Sequence, residues 1–149
     1  MNKYLIVSAL LILLSTTAAS AAGVRDEKQR LTVTATSDTY LKADGTFEFA
    51  SWQQAPSGSV VTIDWEGKTI EFSENGHAYE GPYYILSISE EYLDADQHPS
   101  VKLTVYEGME DEGTIFIVTA TEGDSVRSME KGVLIQLFDG DVFGFKLGR

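Results

Sequence analysis

A chain of 149 residues with 23 acidic and 11 basic side chains, a formal net charge of −12 and no cysteine has room for one domain with a proper core. Binding to DNA, RNA or an anionic lipid surface depends on basic residues that displace counterions, so nucleic acid and membrane surface are excluded as expected partners. Disulfides and thiolate metal sites go with the missing cysteines.

The N-terminus carries one cation at Lys3, an apolar stretch over residues 5–14, and small residues ending in Ala19-Ser20-Ala21. That order is the one a cleavable secretory signal peptide requires. Cleavage is expected after Ala21, with Ala22 as the neighbouring alternative. The apolar core is too short for an uncleaved anchor, which needs about 20 residues to span a bilayer, and lipid attachment at such a site requires a cysteine. Residues 1–21 are therefore read as an export signal, sending the protein to the periplasm or outside the cell. Of the charged side chains only Lys3 leaves with it, so the remaining 128 residues carry a formal charge of −13. Residues 22–30 read as a flexible polar lead-in, and residues 31–149 as a single all-β domain.

In that domain the period is two. Leu31, Val33 and Ala35 alternate with threonines, and Phe47 and Phe49 alternate with Thr46, Glu48 and Ala50. Over residues 60–73, Glu66-Gly67 separates two β-rich runs and is expected to form a two-residue hairpin loop. Its register sets Ile63 opposite Ile70, Val61 opposite Phe72 and Trp65 opposite Lys68, with Thr62, Asp64, Thr69 and Glu71 on the other face. Asn75-Gly76 is the strongest short hairpin signal, because both residues tolerate positive φ; it should bring Tyr79 onto the face of Phe72. Gly81-Pro82 interrupts the ladder, and a strand resumes over residues 83–89 with Tyr84, Leu86 and Ile88 on one side.

Further strands are expected over residues 101–106, 114–120, 133–138 and 142–147, the last two joined through Asp139-Gly140-Asp141. One face of that final pair carries Leu134, Phe138, Phe143, Phe145 and Leu147, with Gln136 as its lone polar member, which must find an internal partner or look into a cavity. The nearest thing to a helix is residues 124–131, at most two turns, stopped by Gly132. Short sequential connections make an antiparallel meander of about eight strands, closed as a small barrel or folded as a sandwich, and the tight hairpins favour the barrel. The meander resembles lipocalin-type barrels in architecture, being exported and all-β. The glycine that this family places two residues before a tryptophan is Ala50 in Ala50-Ser51-Trp52, so no family function is carried over.

If successive strands alternate in direction, Glu66-Gly67 and the longer loops over residues 90–100 and 121–132 gather at one end, the natural place for a functional rim. The candidate binding residues are Trp65, Tyr92, Asp94, Asp96, His98 and Arg127 there, with Gln136 inside. The plainer reading is ordinary loop polars and capping aromatics.

Catalytic and metal motifs are weak. Gly67-Lys68-Thr69 lacks the upstream glycine and the following helix of a phosphate-binding loop. Asp94, Asp96 and His98 have the alternate spacing that opens a calcium loop, but Pro99 stands in place of the turn glycine and Val105 in place of the bidentate glutamate. Weak calcium binding by Asp94 and Asp96, or by Glu107 with Glu110, Asp111 and Glu112, competes with solvated acidic loops. His77 and His98 have no paired spacing for zinc, and there is no G-x-S-x-G elbow. The sequence thus points to an exported, non-enzymatic binding or interaction domain with no cofactor and no metal. Two narrower versions differ in their partner: an acidic inhibitor or adaptor of a cationic protein, or a barrel whose cavity holds a small apolar or neutral ligand.

Overall fold

The alternating runs become strands that follow one another around a ring. In a computed structural model, which describes residues 27–106 and 113–149, the strands are β1 (Lys28–Leu41), β2 (Phe47–Phe49), β3 (Gln53–Gln54), β4 (Ser59–Asp64), β5 (Thr69–Glu74), β6 (His77–Ile88), β7 (Tyr92–Leu93), β8 (Pro99–Tyr106), β9 (Thr114–Glu122), β10 (Lys131–Phe138) and β11 (Asp141–Gly148). The expected signal peptide and the acidic run 107–112 lie outside the described residues. Neighbours pair antiparallel in the order β4, β5, β6, β8, β9, β10, β11, and β1 joins β11 on one edge and β4 on the other. An eight-stranded barrel is closed in this way, which removes the open edges a sandwich retains. The short strands β2 and β3 pair with β1, and β7 pairs with β8, outside the ring.

Strand β1 starts at Lys28, inside the segment expected to be a flexible lead-in. The reason is Gln29, only 2% exposed, whose pairing with Ile63 turns its carboxamide into the barrel. In the β4–β5 hairpin Val61 faces Phe72 and Ile63 faces Ile70, the expected register. The loop is longer than expected: the ladder stops at Asp64 and Thr69, and residues 65–68 turn with Lys68 at φ 57°. Asp64 Oδ1 accepts the Gly67 N–H at 2.7 Å, and the Trp65 N–H donates to the Glu27 carbonyl at 2.6 Å rather than pairing with Lys68.

Asn75 and Gly76 have φ of 51° and 81°, as a two-residue primed turn demands. A bulge between Phe72 and Ser73 then places Glu80, not Tyr79, opposite Phe72. The Tyr79 ring lies 6.3 Å from that of Phe72 yet is 56% exposed. Farther along β6, Tyr83 and Ile85 are buried while Tyr84 and Leu86 are exposed. A further bulge, between Ile85 and Ser87, returns Ile88 to the core, so the three residues expected on one side are divided.

The last hairpin turns at Asp139-Gly140, with Leu134 opposite Phe145 and Gln136 opposite Phe143. Leu134 and Leu147 are buried and Phe145 packs on the core, while Phe138 and Phe143 stand exposed near the turn. In place of two helical turns there is a single 3-10 turn, Val126–Ser128. Gly132 does not stop it but sits within β10, where an added Cβ would fall 2.5 Å from the Thr119 carbonyl oxygen and 2.6 Å from Met129 Sδ.

The barrel interior is filled with side chains. Phe72 contacts Phe116 and Phe145 at ring separations of 5.9 and 5.2 Å, and Tyr83 meets Phe116 edge-on at 5.2 Å. Fully buried Val126 and Met129 plug the end where β4 turns into β5.

Candidate functional site

Strands β9 and β10 are apolar on both faces. Phe116, Val118 and Leu134 enter the core, whereas Ile117 and Ile135, paired across the two strands, point the other way. Two segments rise beside this outer face. A bulge in β1 between Val33 and Ala35 reverses its facing, so that Ser37 and Thr39 become buried outside the barrel, and the following arm folds back over β11. Phe49 stacks on Trp52 at 4.9 Å, and Lys146 Nζ lies 4.7 Å over the Trp52 ring. Gly144 lets the arm close down, since a Cβ there would sit 2.9 Å from the Phe49 ring. The second segment is the 92–98 loop, anchored by Tyr92 and Leu93 pairing with Ser100 and Pro99 of β8.

Between arm and loop runs a groove of about 630 Å³ floored by Ile117, Thr119, Val133 and Ile135, with Phe47 and Phe49 on one wall and Tyr92 and Leu93 on the other. Its rims carry Asp44, Asp94, Asp96 and His98. Asp94 shapes its turn: Oδ1 accepts the N–H groups of Asp96 at 2.9 Å and His98 at 2.8 Å, and Gln97 takes φ 65°. His98 Nδ1 lies 3.8 Å from Asp94 Oδ2. Asp44 caps the arm's tip, with Oδ1 accepting the Thr46 hydroxyl at 2.6 Å and its N–H at 2.9 Å; these two bonds hold its carboxyl below the usual aspartate range. Burial, helped by the Asp94 charge, raises the Tyr92 phenol above its ordinary value.

The expected rim residues separate into three places. Tyr92, Asp94, Asp96 and His98 come together on the groove. Trp65 and Arg127 lie at the plugged end, where Trp65 Nε1 donates to Gln29 Oε1 at 2.7 Å, Gln29 Nε2 donates to the Val126 carbonyl at 3.0 Å, and the Arg127 guanidinium covers the indole at 5.0 Å. Glu91 Oε2 accepts the Val126 N–H at 3.0 Å, tying the loop before β7 to the plug. A smaller hollow of about 280 Å³ remains beside Trp65, Glu91 and Arg127. Gln136 has found partners within the barrel, donating to Glu80 Oε1 at 2.9 Å and to the Tyr83 hydroxyl at 3.2 Å, while that hydroxyl donates to Glu80.

No protein family, no curated protein and no solved structure matches this chain. The chemistry of the groove therefore has to be read from its own residues. Asp94, Asp96 and His98 can each bring one ligand atom within 4.8 Å of the others, but Asp94 Oδ1 already serves two backbone donors. Ser100 Oγ contacts Thr119 Oγ1 at 2.8 Å and the His98 carbonyl at 3.3 Å, not an imidazole nitrogen.

Sequence reasoning missed Asp44, Phe47, Phe49, Leu93, Ile117, Val133 and Ile135. The signal for the floor was the unbroken apolar runs Ile115-Phe116-Ile117-Val118 and Val133-Leu134-Ile135, which mark strands covered on both faces.

Proposed function

We propose that this is an exported, non-enzymatic binding domain whose site is the outer groove across β9 and β10. The observation that carries the reading is the placement of Ile117 and Ile135 on the barrel's outside, at the floor of a groove of about 630 Å³ with aromatic walls. Apolar surface of this kind, concave and edged by a few polar groups, is the ordinary form of a ligand site. The packed rings of Phe72, Phe116 and Phe145 favour the outside over the interior as the place for a ligand. Export rests on the order of residues 1–21, and it predicts a mature chain beginning at Ala22.

The neutral apolar dye N-phenyl-1-naphthylamine tests the groove. Its fluorescence should rise on mixing with the mature protein, and Ile117→Gln should abolish most of that rise with the circular dichroism spectrum unchanged. No rise with the natural protein, or an equal rise with a folded Ile117→Gln, overturns the reading.

A further inference from the structure

The groove is charged on one side of the ledger only: among its lining residues are Asp44, Asp94 and Asp96, and no Lys or Arg. Asp44 stands on the arm and the other two on the facing loop, so carboxylates edge both walls above an apolar floor. The Asp96 carboxylate is exposed and makes no hydrogen bond within the described residues, and the Thr46 bonds that keep Asp44 ionised engage only its Oδ1. An anionic ligand is repelled here, and a purely apolar one leaves the carboxylates unanswered.

In an extended peptide segment successive side chains point to opposite sides, so apolar residues at every second position can face Ile117 and Ile135 while the residues between them reach the rims.

We infer that the groove takes an extended basic peptide segment of a partner protein, with alternating apolar side chains on the Ile117 and Ile135 floor and Lys or Arg beside Asp44, Asp94 and Asp96. This rests on the groove being the binding site, and it supplies the chemistry of the occupant.

Four capped octapeptides, read by isothermal titration calorimetry, test it: alternating Lys-Leu, Ser-Leu, Glu-Leu and Lys-Ser. The Lys-Leu peptide should bind most tightly, and its affinity should fall about tenfold between low and half-molar salt as rim charges are screened. Asp96→Asn should weaken it about two- to fivefold, the range of an exposed ion pair, and flatten the salt dependence. Glu71→Gln, on β5 away from the groove, should do neither. Equal binding of Ser-Leu and Lys-Leu, equal binding of Lys-Ser and Lys-Leu, or an unchanged salt response in Asp96→Asn overturns the basic-peptide inference. So does failure of all four peptides to bind. In each case the groove itself is judged separately, by the loss of dye and peptide binding in Ile117→Gln: if that loss persists, only the occupant was wrong, and if binding survives it, the groove reading falls.

Discussion

The Trp65 indole donates to Gln29 Oε1 at 2.7 Å, and the same carboxamide donates to the Val126 carbonyl at 3.0 Å. One buried side chain thus fastens the start of β1, the β4–β5 turn and the 3-10 plug together. Replacing it leaves two buried polar groups without partners, each worth about 1–3 kcal/mol. Gln29→Leu should therefore lower unfolding stability by about 2–4 kcal/mol in urea titrations. Trp65→Phe, which keeps a ring but removes the donor, should cost less, and the double variant should cost less than the sum of the two. Additive losses would show that the bond does not couple them.

A second prediction separates two rings that meet on the β5–β6 hairpin. Phe72 is fully buried and touches Phe116 and Phe145, so Phe72→Ala should destabilise by about 3–5 kcal/mol. Tyr79 lies beside the same ring but is 56% exposed, because the bulge after Phe72 gives its inward place to Glu80. Tyr79→Ala should change stability by less than about 1 kcal/mol. Comparable losses for the two would restore the unbulged register.

The Asn75-Gly76 hairpin was legible because two local signals agree there: period-two alternation and a turn residue pair that tolerates positive φ. In the β4–β5 hairpin alternation alone gives Val61 opposite Phe72, while the positive φ falls on Lys68, outside the expected Glu66-Gly67 pair. Of the bulges, only the shift between Ile70 and Phe72 was legible, because Gly81-Pro82 stands opposite it. Those near Thr34 and Leu86 and the one between Phe72 and Ser73 insert or skip a residue without any compositional mark, yet each reverses which side chains face the core downstream. That is why Ile88 ended inside, and why Ser37 and Thr39 became a buried outer surface under the arm. The candidate site was half legible for a related reason. Loop length pointed to Tyr92, Asp94, Asp96 and His98, but the opposite wall exists only because β1 changes facing and carries Phe47 and Phe49 back over Gly144. Trp65 and Arg127 pack on each other where β4 turns into β5, which closes that end of the barrel instead of opening it.

The titration of Tyr92 offers a pH test. Burial and the neighbouring Asp94 raise its folded pKa above the ordinary tyrosine value of 10.0, while the unfolded chain titrates near that value. The unfolded state then loses its proton first. Stability supplied by the neutral phenol is complete below pH about 10 and is lost as pH rises through the folded pKa. Tyr92→Phe should flatten this alkaline decline in urea midpoints. Asp94→Asn should bring the phenol's ultraviolet titration closer to the ordinary value, and an occupant seated in the groove should move it farther away by excluding water.

Gly144 provides a way to disturb the groove while sparing the core. Its missing side chain faces outward, and an added Cβ would lie 2.8 Å from Thr39 Oγ1 and 2.9 Å from the Phe49 ring. The obstacles are the Thr39 hydroxyl of β1, which can rotate away, and the Phe49 ring on an arm that packs on the barrel from outside, held by the Phe49 stack on Trp52 and by Lys146 over that indole. Gly144→Ala should therefore lift the arm at a stability cost of about 1–2 kcal/mol, the lower part of the overpacking range. Because Phe47 and Phe49 form one wall, the same change should weaken dye binding several-fold. Gly132→Ala is the contrasting case, since its Cβ would press on the Thr119 backbone. It should destabilise more strongly, because the obstacle is the backbone of a groove-floor strand and not a side chain that can turn aside. Calorimetric melting alongside dye titration distinguishes them: a Gly144→Ala protein that melts far below the natural one, or that binds dye undiminished, would show that the arm is not a movable wall.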